Sequence, residues 1–460
     1  MNAKAPSPWM VPRSPLVLLV ATVAFPASLA AMIYPDWGTW VWVVHGVVLG
    51  LALLDAILVW GTLNGILLTA PDRIRAVRSR SALLELFLQR TRSRSLPVRL
   101  TVAWPAEMDG AEEEHQIEVP AAPARVLVAF HPVSRVRGEF HLRSVRLETV
   151  SPLRFWNARC DRAIQTRVCV YPDLRRDRNA LAALFLSRGG SGLRSQRQIG
   201  KGRDFEKLRE YVPGDGFDEI HWKATAKRGY PVTKVFQVER TQEVYVILDA
   251  SRLSGRLNGS ILPGGKRGEE SGDTVFESML SAALVLGQIA ERQGDLFGLV
   301  VFSDRVERFL RARSGKAHYQ ACRDLLLRQQ PREVSPDFDE LASFLRLRLR
   351  RRALLLYVTV LEDPLIADSF VKHAELVSRQ HLLLLSMPRS PGLRPLFSSS
   401  AVETMDEMYE QLGGHLRWAD WRAHALRLER LGVRTNLVDP ERLAVNLVEN
   451  YLSVKQHQTL

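Results

Sequence analysis

Cysteine is scarce in this chain and scattered where it occurs: Cys160, Cys169 and Cys322 are the three present in 460 residues. An odd, dispersed set excludes a disulfide framework and a CxxC metal site, and it suggests a reducing compartment for the soluble part. No GxSxG, HExxH or paired-cysteine motif occurs, which removes the commonest hydrolase and metalloprotease signatures. Cys322 sits in a Leu-rich helical stretch without the setting that activates a thiol. His131 and His141 stand alone, as surface or structural histidines do. Acidic excess is absent too. The formal net charge of +13 points toward nucleic acid, an anionic membrane surface or a basic partner-binding face, without choosing among them. The length is enough for two or three domains.

Long apolar runs are confined to the N-terminal end. Residues 15–33 carry no charge, and after the short break YPDWG the chain is apolar again over residues 39–68. Each run approaches the roughly 20 residues a helix needs to cross a bilayer. The second run follows too closely, and lacks an A-x-A-like site, for a cleaved signal peptide, so a transmembrane helical hairpin is expected. Lys4 and Arg13 precede it, Asp36 lies in its turn, and Arg73, Arg75, Arg78 and Arg80 follow it. That asymmetry puts both ends in the cytoplasm, with Tyr34, Trp37, Trp40 and Trp42 at the far interface. Arginines just inside the membrane also account for part of the positive charge. Asp55 is a carboxyl inside the second run. It is a functional candidate on that ground, or it pairs within the hairpin or across an oligomer with an amide such as Asn64 or a backbone group.

The soluble part divides by pattern. PVRLTVAW, QIEVP, ARVLVAF, HLRSVRLETV and TRVCVYP are short alternating runs between Pro, Gly and charged clusters, the signature of a small all-β domain. From Val244 strand-like runs (VYVILD, DLFGLVVFS, ALLLYVTV, HLLLLSM, VRTNLVD) alternate with helical periods, so a mostly parallel sheet with helices on both faces is expected. Thr274 and Glu277 form a capping box at its first helix. The divisions predicted are an N-terminal tail and two transmembrane helices (residues 1–71), the β domain (72–172), a linker and motif segment (173–239) and the α/β domain (240–460).

Residues 202–239 read GRDFEKLREYVPGDGFDEIHWKATAKRGYPVTKVFQVE. The spacing of Arg203, Tyr211, Pro213, Gly214, Asp215, Trp222, Lys223 and Glu239 resembles the signature of the domain of unknown function 58 family. GDLFGLVVFSDRVERFLRARSG is similar to that family's second and third strands. The resemblance implies an N-terminal hairpin, a β-rich segment and a C-terminal domain similar to the von Willebrand factor A fold. It also implies membership of a group associated with MoxR-type AAA+ ATPases. From the residues alone, PGD is a turn and Tyr211 and Trp222 supply apolar bodies with polar tips, which suits a clamp between the β and α/β domains. The alternative is a catalytic or anion-binding cluster of Arg203, Asp215, His221 and Lys223, as in a hydrolase acting on an envelope precursor. The segment lacks a nucleophile and base at a spacing that known chemistry requires.

In a parallel sheet ligands bind at the carboxyl ends of strands, where Asp249 lies. The resemblance implies an Asp-x-Ser-x-Ser loop there, a Thr from a second loop and a later Asp, together holding magnesium. Asp249 and Ser251 match, but the second serine position is Leu253, with Ser254 one residue late. The Thr position falls near Asp339, and the later Asp position is Val360, with Glu362 and Asp363 just beyond. Two of five oxygen donors are thus replaced by apolar side chains, and magnesium is strict about its octahedral oxygen set. A degenerate, metal-independent surface is expected, with Asp249 capping a helix or bonding the Ser251 amide. A weak magnesium site on Asp249, Ser251, Asp339 and Glu362 is the alternative. The basic run from Arg346 to Arg352 lacks interleaved aromatics and reads as a solvated helix end, so no nucleic-acid partner is expected. LPGGKRGEESGD fits neither a P-loop nor a dinucleotide fingerprint and reads as an insertion beside the Asp249 loop. Together with the resemblance, these features lead to a non-catalytic, two-pass adaptor of the bacterial inner membrane with its soluble domains cytoplasmic. Its expected partners are the membrane, a MoxR-type AAA+ ATPase and other envelope proteins, with a homo-oligomer left open and no cofactor required.

Overall fold

The computed structural model describes residues 9–92, 94–109, 114–187, 199–213, 216–217, 220–237, 242–258, 273–396, 398 and 404–457. The chain divides into two compact units, Met1–Asp173 and Leu174–Leu460.

In the first unit, residues of the leading apolar run are helical over Ser14–Leu19, form a π-turn over Val20–Ala24 and are helical again over Phe25–Ile33. Pro26 has no amide proton to give the preceding turn, and the widened turn absorbs that loss. Among the described residues one helical stretch, Gly38–Gly65, which includes the helix Gly38–Val59, is long and apolar enough on its own to cross a membrane. The second run does not stay helical to Leu68 as its composition suggested. Gly61, at φ 72°, ends the helix, and Ile66–Thr69 is a strand with Ile66 buried in the β core. Ser28 Oγ lies 3.0 Å from His45 Nε2, which links the two helical stretches.

The rest of this unit is two main sheets over one core, with a two-stranded pairing of Met108–Asp109 and Val133–Ser134 beside them. One joins Trp9–Pro12, Trp156–Tyr171, Gly138–Val150, Leu96–Val102 and His115–Val119, with Arg73–Val77 also paired to Trp156–Tyr171. The other joins Ile66–Thr69, Leu84–Arg90 and Arg125–Phe130. Alternation does the packing: Leu84, Leu86 and Leu88 are buried while their neighbours face out, each buried side chain contributing about 1.5–3 kcal/mol of transfer free energy. Strand Trp9–Pro12, ahead of the first helix and pairing Trp9 with Arg159, was not expected from the sequence.

The second unit holds a six-stranded sheet. Its elements are β1 (Glu243–Asp249), α1 (Val275–Gln293), β2 (Leu296–Phe302), β3 (Val306–Arg313), α2 (Lys316–Leu327), α3 (Phe338–Arg348), β4 (Leu354–Val358), α4 (Pro364–Val377), β5 (Leu382–Pro388), α5 (Met405–Arg430), β6 (Arg434–Val438) and α6 (Leu443–His457). The spatial order is β3-β2-β1-β4-β5-β6, all parallel except β3. Central strands covered on both faces need apolar side chains throughout, and every residue of β4 is buried. Helices α1, α2 and α6, with Arg175–Ser187, pack together in one layer, and α3, α4 and α5 in another. A Cβ at Gly298 would stand 2.3 Å from the Tyr245 ring, so glycine there lets Tyr245 lie across β2. The mixed α/β expectation holds. The signature segment forms a hairpin of Ile199–Glu210 and Val232–Gln237, with the short helix Trp222–Arg228 between them.

Candidate functional site

The strand order reverses between β1 and β4, and the crevice beyond their carboxyl ends is where doubly wound sheets bind ligands. Asp249 closes β1 at that point and is fully buried. Its Oδ1 accepts from the Ser251 amide at 2.8 Å, and its Oδ2 accepts from the Thr359 hydroxyl, just past β4, at 2.5 Å. Burial pushes the carboxyl above its ordinary range, opposed by the Thr359 and Ser251 hydrogen bonds and the Val360 amide, which favour the charged form. The carboxylate therefore stitches the ends of the two central strands together. Bonding of the Ser251 amide is as expected. The helix cap is not: Thr274 caps α1 by accepting from the Glu277 amide at 3.3 Å. Thr359 went unnoticed in the sequence, where its signal was a hydroxyl residue directly after an apolar strand.

The other candidate residues are employed elsewhere. Ser254 Oγ donates to the Ser251 carbonyl at 2.7 Å. Asp339 is exposed in the first turn of α3, and its amide is accepted by Asp337, so the expected Thr-like donor near Asp339 does not join Asp249. Glu362 pairs with Arg256 at 3.1 Å and stands 3.8 Å from Arg417. Asp363 caps α4 by accepting the Leu365 amide at 3.0 Å, with Arg252 3.7 Å away. Leu253 and Val360 are buried where the resemblance implied ligands. Ser251 Oγ and Glu362 Oε1 are buried without a hydrogen-bond partner among the described residues. No cluster of three His, Cys, Asp or Glu side chains suited to a metal stands among the described residues either. The residues present do not assemble the octahedral oxygen set that magnesium demands. The glycine-rich insertion lies outside the described residues apart from its neck, where the Asn258 amide donates to the Asp273 carbonyl at 2.7 Å.

In the signature segment, Gly214, Asp215 and Glu239 lie outside the described residues. Arg203 falls on the strand Ile199–Glu210. Tyr211 stacks on Phe217, and Pro213 is exposed. His221 is the N-cap of the short helix, its Nδ1 accepting the Ala224 amide at 3.0 Å. Trp222 and Lys223 follow it on the surface, Trp222 with 67% of its area exposed.

For Asp55 the location of the partners is corrected: two of them are backbone amides, as one alternative allowed, but they lie neither at Asn64 nor on the two apolar helical stretches. Its carboxylate accepts from the Ser151 hydroxyl at 2.5 Å and from the Leu153 and Phe155 amides at 2.9 and 3.1 Å, in a loop of the β unit. Phe155 also receives the Arg13 amide on its carbonyl at 2.9 Å, and Trp156 Nε1 donates to the Ala52 carbonyl at 2.8 Å. The chain thus departs for the first helix and returns from the second at the same residue.

These features define a protein with an apolar helical stretch, a two-sheet β unit and a doubly wound α/β unit. Residues 207–391 match the model of the family described as Protein of unknown function DUF58, so that segment carries this family's domain, as the signature had suggested. The uncharacterized protein YeaD of Bacillus subtilis (strain 168) is 28% identical over 126 residues, which are 27% of this chain and 31% of that protein. The match therefore spans about a third of the relative's length. Among solved structures, an aerotolerance-related membrane protein from Bacteroides fragilis NCTC 9343 is 12% identical over 46% of this chain and 98% of that one, with a TM-score of 0.27. The PilB minor pilin from Streptococcus sanguinis is 10% identical over 85% and 93% of the two chains, with a TM-score of 0.30.

Proposed function

We propose that this chain is a membrane-anchored, non-catalytic adaptor whose protein-binding face is the carboxyl edge of the α/β sheet, in a domain of the von Willebrand factor A type. The observation that carries this reading is Asp249. It stands where such a sheet presents its ligand group, yet its carboxylate is sealed into hydrogen bonds that join β1 and β4. Around it the rim is laced with ion pairs, Arg256 with Glu362, Arg252 with Asp363 and Arg332 with Asp304. A charged, partly satisfied rim over an apolar core is the composition of a transient protein interface. The anchor is a two-pass hairpin in the bacterial plasma membrane, with both termini and both units cytoplasmic. The meeting of both hairpin ends at Phe155 supports that topology, and the arginines after the second helix support its orientation.

The partner is a MoxR-type AAA+ ATPase, as the family resemblance implies, and the work is assembly or remodelling of envelope or other protein complexes. Full-length chain in detergent is expected to retain a purified MoxR-type ATPase of the same organism in a nucleotide-dependent way, and charge reversal at Arg252 and Arg256 is expected to abolish retention. Equal retention of the reversed variant, or none by the native chain with any nucleotide, would remove the adaptor reading.

A further inference from the structure

Helix α5 lies beyond the residues that match the family model. One of its faces is seated on the domain. Ala425 and Leu428 are buried, Trp418 and Trp421 pack on the main core, and a Cβ at Gly414 would stand 1.9 Å from the Gly392 carbonyl oxygen. The opposite face is exposed and apolar, although a solvated face is normally polar. Met405, Tyr409, Leu412, Leu416 and Leu426 lie on it, with Tyr409 66% and Leu416 58% exposed. Ala419 and Ala423, also exposed, complete the row. The steps from 405 through 409, 412, 416, 419, 423 and 426 alternate four and three residues, the a/d spacing of a coiled-coil seam.

We propose that this face is the seam of a homodimer in which α5 pairs antiparallel with α5 of a second copy, an inference that does not depend on the adaptor reading. The order of side-chain sizes selects the occupant. The large residues occupy the first half of the seam and the alanines the second. A parallel copy would set Tyr409 on Tyr409 at one end and Ala419 on Ala419 at the other, leaving crowding and then voids. An antiparallel copy sets Tyr409 against Leu426, Leu412 against Ala423 and Leu416 against Ala419, so that every layer pairs large with small or medium and fills evenly. The aliphatic stem of Arg430 covers Met405 at each end.

Flanking charges agree with this choice. In the antiparallel register Asp406 of one copy stands at the level of Arg427 of the other, twice by symmetry, where it would join the pair Arg427 already makes with Asp368 at 2.6 Å, whereas a parallel register brings Arg422 against Arg427. One self-complementary patch closes the assembly with a two-fold axis. Five half-exposed apolar side chains with their alanines bury on the order of 1,000 Å² across two copies, the size at which specific interfaces begin.

The test uses the full chain in detergent micelles. Sedimentation velocity is expected to show dimers that dissociate on dilution, and Leu416→Glu is expected to raise the dimer Kd by about 30-fold or more. Because Leu416 is exposed, the melting midpoint of this variant is expected to stay at the native value when measured at dissociating concentration. Register is read from mild oxidation, since the three native cysteines are buried. The double variant Leu412→Cys/Ala423→Cys is expected to form disulfide-linked dimers. Leu412→Cys alone is not, because the two copies of that residue lie about 16 Å apart along an antiparallel seam, beyond disulfide reach. A native chain that sediments as a monomer at every concentration overturns the proposal, as does a dimer indifferent to Leu416→Glu. Cross-linking by Leu412→Cys alone overturns the antiparallel seam.

Discussion

The two units each bury an aspartate completely, Asp55 in the first and Asp249 in the second, and in both cases the carboxylate holds its own chain. They differ in what they join. Asp249 fastens two neighbouring strands of one sheet, and one of its donors, the Ser251 amide, is only two residues away. Asp55 fastens a helix to a loop of the β unit, and its three donors lie 96 to 100 residues further along the chain. A tie of the first kind, whose second donor is the Thr359 hydroxyl of the adjacent strand end, adds to a sheet already defined by its strands. The second kind fixes how a separate element meets the sheet, so more of the architecture rests on it.

That contrast sets the expected order of effects. Asp55→Ala leaves the Ser151 hydroxyl and two amides without an acceptor, and unfolding of the first unit is expected to become easier by about 3–5 kcal/mol. Urea denaturation of the full chain in detergent measures it, and a midpoint within error of the native one would break the idea of a lock. Asp249→Ala is expected to cost about 2–4 kcal/mol, smaller because the sheet persists around it. Thr359→Val removes one donor and is expected to cost about 1–2 kcal/mol. A double-mutant cycle with Asp249→Ala should come out clearly non-additive, since both changes sever the same bond.

The tie at Asp249 also carries a pH dependence. Burial raises the Asp249 pKa in the folded chain, so folding takes up a proton there. This contribution is full below the ordinary carboxyl range near pH ~4 and is lost as pH rises through the raised value. The stability difference between the native chain and Asp249→Asn should therefore shift against the native chain over that window, and a flat difference would mean that burial does not govern this carboxyl. The smallest effect is expected at His221. Replacing it with Ala removes the cap of the helix Trp222–Arg228 and is expected to cost about 0.5–1 kcal/mol, visible as faster amide exchange at Ala224.

What the sequence made legible follows the same division between near and far. The strands of the α/β unit could be read because their apolar runs are continuous, and the caps at Thr274 and Asp249's turn because both partners sit within three residues. The family signature could be read because its whole spacing is linear. Thr359 and Ser151 could not be paired with their aspartates, since sheet topology and a loop of the β unit, not local pattern, bring them together. The tail of the second apolar run misled for a related reason. Ile66 is as apolar as a membrane residue, but its burial is supplied by a sheet whose strands lie far along the chain. The apolar seam of α5 is linear as well, yet its meaning needed the structure, because only packing reveals which of two apolar faces is already covered.

The central claim is that Asp249 ties strands together and does not serve a cation. Titration calorimetry of the full chain with magnesium and then manganese tests it most directly, with Asp249→Asn alongside. The account predicts no saturable heat and no change in melting temperature for either protein. Saturable binding by the native chain that disappears in Asp249→Asn would contradict it.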